Sequence, residues 1–259
     1  MEHEQSYSKP VFDIDKIAQK AEIGILPDNF SNWSLKTKDG ETIAHISAKH
    51  GSLPDNFDWD EYGKMKDQQG KTVLYVAMEN GNLPENIQSF SMKQMQNISQ
   101  NDFDIKYDKH KKWLETNGRE GERLVLQKYE LSNINFPRNA QLQKADLSHS
   151  NLSRQDLSGA DMRLDNLRGA NLSGATLHKT KLAGADLSDA NLSGANFYKA
   201  DLRNTDLSNS ILRDARLNGT LIDKANFNNA IVLNAEFQNI RFDSALNMDT
   251  ALGWSDNKE

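Results

Sequence analysis

Gly70-Lys71-Thr72 has the ending of a phosphate-binding loop, in which the lysine and the hydroxyl would meet phosphate oxygens and Mg2+. The first glycine of that motif would fall at Met65, so the backbone cradle is not expected. Asp58 and Asp60, followed by Gly63, begin like a calcium loop. Tyr62 and Gln69 stand where two further oxygen ligands are needed, which leaves a hard cation under-coordinated. Asp165 is an isolated carboxylate with no histidine or second acid recognisably paired with it. The chain has no cysteine, which excludes disulfides and thiolate chemistry and is compatible with a reducing compartment. The expectation is a protein without catalytic residues, cofactor or metal.

The bulk properties point away from an ordinary globular core. Hydrophobic residues make up 37% of the 259-residue chain and the mean hydropathy is −0.75, values that an elongated repeat fold tolerates because each unit packs on its neighbours. The net charge is −6, and the second half, residues 139–259, carries 13 basic against 15 acidic side chains. Neither balance suggests direct nucleic-acid binding. Met1-Glu2-His3-Glu4-Gln5 lacks the basic and apolar regions of a secretory signal, and no run is long enough to span a membrane. A cytoplasmic protein is expected, with delivery into a host cell by a specialised secretion system as the alternative.

Two repeats must position whatever function there is. The first lies near the start, where Gly24-Ile25-Leu26-Pro27-Asp28-Asn29-Phe30 returns at 51–57 and, more loosely, at 81–87. Gly40-Glu41-Thr42-Ile43-Ala44-His45 precedes the second copy and Gly70-Lys71-Thr72-Val73-Leu74-Tyr75 the third. Thr42 and Thr72 are placed to cap helices, and Gly51 and Gly81 to end them. These segments resemble ankyrin repeats over about residues 13–90. They depart from that family after each terminal glycine, where a short acidic-aromatic stretch replaces the usual second helix. In such a frame His45 hydrogen-bonds within its own turn. Residues 88–138 read as a bridge. It holds a short helix from Asp108 to Gly118, with a solvated lysine face, and then a strand at Leu124-Val125-Leu126.

The second repeat dominates. A large apolar residue recurs every fifth position from Leu142 through Leu187 and Phe197 to Phe242, weakens at Asn247 and returns at Leu252. A small residue stands two places before it (i−2), Asp or Asn usually one place before it (i−1), and turn residues follow at i+1 and i+2. Two inward positions two apart require an extended segment, and the remaining residues turn a corner. The stretch is similar to the pentapeptide-repeat family, with motif Ala-(Asp/Asn)-Leu-x-x. The resemblance implies a mainly β fold, a right-handed quadrilateral β-solenoid with four pentapeptides per coil, preceded here by a small N-terminal α-helical ankyrin-like domain. Expected divisions are 1–90 ankyrin-like repeats, 91–130 a helical linker or cap, 131–252 the solenoid and 253–259 a tail. The sequons at Asn151, Asn171 and Asn191 are by-products of the repeat.

With residues twenty apart stacked on one face, the surface becomes readable. Asp146, Asn166, Asp186 and Asp206, with Asp189, make a mildly acidic face, and Lys179, Tyr198, Lys199 and Arg216 lie on another. Ile211, Leu221, Ile231 and Leu246 replace Asp or Asn at i−1, and Leu233 adjoins Ile231. These five form the expected partner or dimer surface, with cover by Leu252-Gly253-Trp254 as the competing reading. Gln155, Asp165 and Ile240 interrupt the inward small residues, and a bulge that swaps Leu164 and Asp165 is expected at the second. The expected function is non-enzymatic protein binding, with a homodimer through the C-terminal coils as one form of it. Alternatives are a delivered effector, a DNA mimic that protects a topoisomerase, and an enzyme with a site in residues 88–138.

Overall fold

The computed structural model describes residues 14–22, 33–39, 41–50 and, without a break, 95–254. Shorter described pieces lie at 26, 30, 53, 57, 62, 65–69, 71–73 and 76–77. The Gly-x-Leu-Pro turns, the acidic-aromatic stretch at 58–61 and Gly63 fall almost wholly outside the described residues. The chain divides into two compact units, Met1–Ile87 and Gln88–Glu259.

In the first unit, helix α1 (Ile14–Glu22) packs against helix α2 (Ile43–His50). A tight antiparallel hairpin precedes α2. Lys36 pairs with Thr42, and the same geometry returns where Lys66 pairs with Thr72. Asp67 closes the second hairpin, its Oδ1 accepting from the amides of Gln69 and Lys71 at 2.8 and 2.9 Å. Ile43, Ala44, Val73 and Ala77 are buried with Trp33 and Phe57, whose rings meet edge to face.

The second unit opens with strand β1 (Gln96–Asn97) and helix α3 (Gln100–Glu115). The helix is longer than expected and begins eight residues before Asp108. Ser99 caps it, its Oγ accepting from the Asp102 amide at 3.1 Å and donating to the Asp102 carboxylate at 2.6 Å. Phe103, Tyr107 and His110 form its buried stripe, and the dense charge around them hides that period in the sequence.

α3 closes the start of the solenoid. Phe103 and Tyr107 join the buried column, the Tyr107 hydroxyl accepts from the Gln141 amide at 2.9 Å, and the Leu124 amide donates to His110 Nδ1 at 3.0 Å. β1 pairs in parallel with strand β2 (Tyr129–Glu130), and Glu130 pairs in turn with Asn151. The ladder thus starts before Leu131. Early rungs are twenty-one residues apart, as at Val125–Asp146, because Pro137 adds a residue. From Gln141–Asp161 to Asn226–Leu246 the spacing is twenty, which makes the coil four-sided.

Each pentapeptide is built alike. The central side chain is buried, from Leu142 through Phe227 and Val232, and the i−2 residue lies beside it. The corner residue at i+2 holds a positive φ, whether glycine, asparagine or lysine. The preference for Asp or Asn at i−1 has a direct cause. Its Oδ1 accepts from the i+1 amide at the corner, as Asp186 does from Ser188 at 2.9 Å and Asn191 from Ser193 at 3.1 Å. Inward hydroxyls satisfy themselves on carbonyls, as Thr180 does on Leu157 and Thr205 on Leu182.

The inward irregularities resolve differently from one another. Gln155 donates to the carbonyls of Leu131 and Ser132. Ile240 is partly buried against the column. Asp165 stays inward, so the expected bulge is not there. Leu164 occupies the corner with φ 61° and points to solvent, and the rungs on either side keep their spacing of twenty.

Candidate binding surfaces

The last coils carry the departures from the regular repeat. Ile211, Leu221 and Ile231 have no oxygen with which to hold the following corner amide. The five residues expected to form one exposed surface do not lie together in the open. Ile211 and Ile231 are 3% and 2% exposed. Their column runs Glu130, Asn151, Asn171, Asn191, Ile211, Ile231 and Leu252, passing from polar to apolar along one side. Asn171 donates to Asn151 at 3.1 Å, and Asn151 donates to both oxygens of Glu130.

The C-terminal segment accounts for the upper end of this column. Asn247 adopts φ 58° and a 3-10 turn follows over Met248–Thr250. This inserts one residue, so Ile231 pairs with Leu252. The Val232 amide donates to the Leu252 carbonyl, and the Leu252 amide to Ala230, both at 2.9 Å. Met248, not Asn247, is buried in the core, and Leu252 takes the rung position rather than the central one expected of it. Gly253 has φ 86°, and a Cβ there would stand 3.0 Å from the backbone of Leu233, which is therefore closely covered. The Trp254 ring packs on Phe242 and Phe237, at 4.6 and 5.6 Å between centroids.

Leu221 and Leu246 remain in the open, each 48% exposed. Leu221 is paired below to Asp201 and Leu246 to Asn226. Around Leu221 lie charged groups that are already satisfied. Arg203 grips Asp201 through two bonds of 2.8 and 2.7 Å, and that contact holds the Asp201 carboxyl below the usual carboxylate range. Arg163 grips Asp161 in the same way, and Lys181 lies between the two pairs in the stack.

Among the described residues of the first unit, those singled out for chemistry are engaged in the fold. Lys71 and Thr72 are part of the second hairpin, not of a phosphate cradle. His45 is buried, with Nδ1 2.7 Å from Thr42 Oγ1 and Nε2 3.0 Å from the Lys71 carbonyl, and burial lowers its pKa. It therefore joins two hairpins as well as bonding within its own turn. Among the described residues no group of acids and histidines is arranged to hold a metal, and no helix is long and apolar enough to cross a membrane.

Residues 138–174 and 170–209 match the family described as pentapeptide repeats, in eight copies. A pentapeptide repeat protein from the thylakoid lumen of Arabidopsis thaliana is 34% identical over 38% of this chain and 70% of its own, with a TM-score of 0.37. The chain belongs to the pentapeptide-repeat family. Another pentapeptide-repeat structure with this likeness is HetL, involved in heterocyst differentiation regulation in the cyanobacterium Nostoc sp. strain PCC 7120. It is 31% identical over 48% of this chain and 50% of its own, with a TM-score of 0.39. The chain thus spans about half the length of HetL. QnrB1, a plasmid-mediated fluoroquinolone resistance protein, is 18% identical over 49% of this chain and 89% of its own, with a TM-score of 0.16. No curated protein is similar enough to count as a match.

Pentapeptide-repeat sequence alone located the apolar i−1 substitutions but not their exposure. For Ile231 the insertion at 247–250 decides that by bringing Leu252 onto it, and Asn247 was its one visible signal.

Proposed function

We propose that this pentapeptide-repeat chain is a non-enzymatic protein-binding scaffold whose C-terminal coils pair with a second copy. The observation that carries this is the exposure of Leu221 and Leu246, on neighbouring sides of the last coils, where the rungs below present polar or charged side chains. Exposed apolar side chains on an otherwise polar and rigid body favour burial against another surface. Ile211 and Ile231, closed over in their own column, and Leu233, at the corner beyond them, lie on other sides of the coil and take no part in this pairing. The N-terminal unit, read as divergent ankyrin-like repeats up to about residue 90, adds a second protein-binding surface. The cations at Arg163, Lys181 and Arg203, threaded among Asp161 and Asp201, speak against a DNA mimic.

The test is light scattering on the purified chain and on Leu221→Glu/Leu246→Glu. A dimer that becomes a folded monomer in the double variant supports the pairing. A monomeric wild type, or a dimer indifferent to both changes, removes it.

A further inference from the structure

A different side of the solenoid carries a cationic, aromatic corner. His178 and Tyr198 follow the central residues Leu177 and Phe197 on successive coils, and Lys179 and Lys199 occupy the two corners beside them. The His178 and Tyr198 rings are 5.4 Å apart, and Lys199 Nζ lies 5.0 Å from the Tyr198 centroid. Tyr198 is 41% exposed, a large share for an aromatic ring on a regular rung. His178 Nε2 is shielded and lacks a hydrogen-bond partner. Neither Lys179 nor Lys199 has an ion-pair partner among the described residues, whereas Lys181, Arg163 and Arg203 nearby all do. The next corner up is Gly219, and the Lys199 stem lies across it, 3.5 Å from where a Cβ would stand. A side chain there would crowd the lysine.

We infer that this corner is a docking site for a short acidic peptide, two carboxylates meeting Lys179 and Lys199 while an apolar side chain lies on the Tyr198 ring. Two free ammonium groups one coil apart, about 4.8 Å along the stack, match acidic side chains of an extended segment. An exposed tyrosine beside them supplies flat contact area at low entropic cost. Charge also sets the length of the occupant. On the same side of the solenoid Asp156 lies below this stretch, and Glu236 lies above it with Arg216 at 3.5 Å. A nucleic-acid backbone continuing along the face would meet those carboxylates, and the net charge of −6 repels it at longer range. The site deepens the scaffold reading by naming a partner chemistry, and it is independent of the C-terminal pairing, since Leu221 and Leu246 take no part in it.

The probe is a short fluorescein-labelled peptide in which glutamates alternate with apolar residues, followed by anisotropy with the full chain. Lys179→Glu/Lys199→Glu is expected to weaken binding by about tenfold or more, with a salt dependence that the variant loses. Tyr198→Ala weakens it separately, and Lys144→Glu/Lys224→Glu, at a different corner, leaves it unchanged. Thermal melts establish that each variant is folded. No binding to the wild-type chain, or equal binding to the charge-reversed one, overturns the assignment. So does tighter binding of an oligothymidylate through the same lysines, which would make the site one for nucleic acid.

Discussion

Asp165 Oδ1 accepts a hydrogen bond from the Ala145 amide, one coil below, at 3.0 Å. Its other oxygen is buried without a partner. Burial pushes this carboxyl well above the usual carboxylate range, with the charges of Asp161 and Asp146 acting in the same direction. The Ala145 amide also donates to the Leu142 carbonyl at 2.8 Å, so it does not depend on Asp165.

Asp165→Ala is therefore expected to stabilise the chain at neutral pH by about 1–3 kcal/mol, the usual cost of a buried polar group left partly unsatisfied. The folded carboxyl keeps its proton to higher pH than the unfolded one. Stability is fully present below the ordinary carboxylate pKa, about 3.9, and falls as pH rises through the raised folded value. The variant should match the wild type near the acid limit and gain on it above. Urea denaturation across this range measures the difference, and a variant less stable at neutral pH would contradict it.

Phe197 is fully buried at the centre of its coil. Phe197→Ala should destabilise the second unit by about 3–5 kcal/mol, because packed neighbours on the coils above and below cannot collapse into the gap. Chemical denaturation followed by circular dichroism reads this directly.

Gly253→Ala should loosen the end of the solenoid by about 1 kcal/mol or more, since the position needs a positive φ and the new methyl would press on the Leu233 backbone. Hydrogen exchange should show lost protection at the Val232 and Leu252 amides while those around Phe197 stay protected.

His110 makes the helix closure pH-sensitive. Its Nδ1 accepts from the Leu124 amide and must be unprotonated to do so. Burial lowers its pKa, and the charge of Arg123 lowers it further. The unfolded imidazole thus binds a proton more readily. The stability it supplies is present above the ordinary histidine pKa, about 6.5, and is lost as pH falls through the lowered folded value. Protection factors in α3 should fall over that window more than those in the middle coils. An unchanged ratio would show that the contact does not hold the helix in place.

How much was legible in the sequence varies from element to element. The five-residue frame exposed the solenoid because one period repeats wherever the chain turns the same corner. The extra residue at Pro137 shows in the early rungs, which are twenty-one residues apart. α3 was half seen, since its buried stripe of Phe103, Tyr107 and His110 is narrow and lies among charges. For the surface, composition at i−1 marked Ile211, Leu221, Ile231 and Leu246 as alike. The structure separates them. Ile211 and Ile231 are in a closed column, and Leu221 and Leu246 are open.

The amino-acid sequence by itself determined the coil, because a central apolar residue, a small inward one and a corner acceptor at fixed spacing leave the backbone a single economical path. It also determined that the interior is filled by side chains such as Leu187 and Phe197. Only the tertiary structure decided which apolar residues stay exposed, because exposure at one rung depends on the rung above. The insertion at Asn247–Thr250 brings Leu252 onto Ile231 and Gly253 onto Leu233. Likewise, Lys179 and Lys199 are ordinary surface lysines in the chain. Stacking sets them one above the other beside Tyr198, with no carboxylate between them.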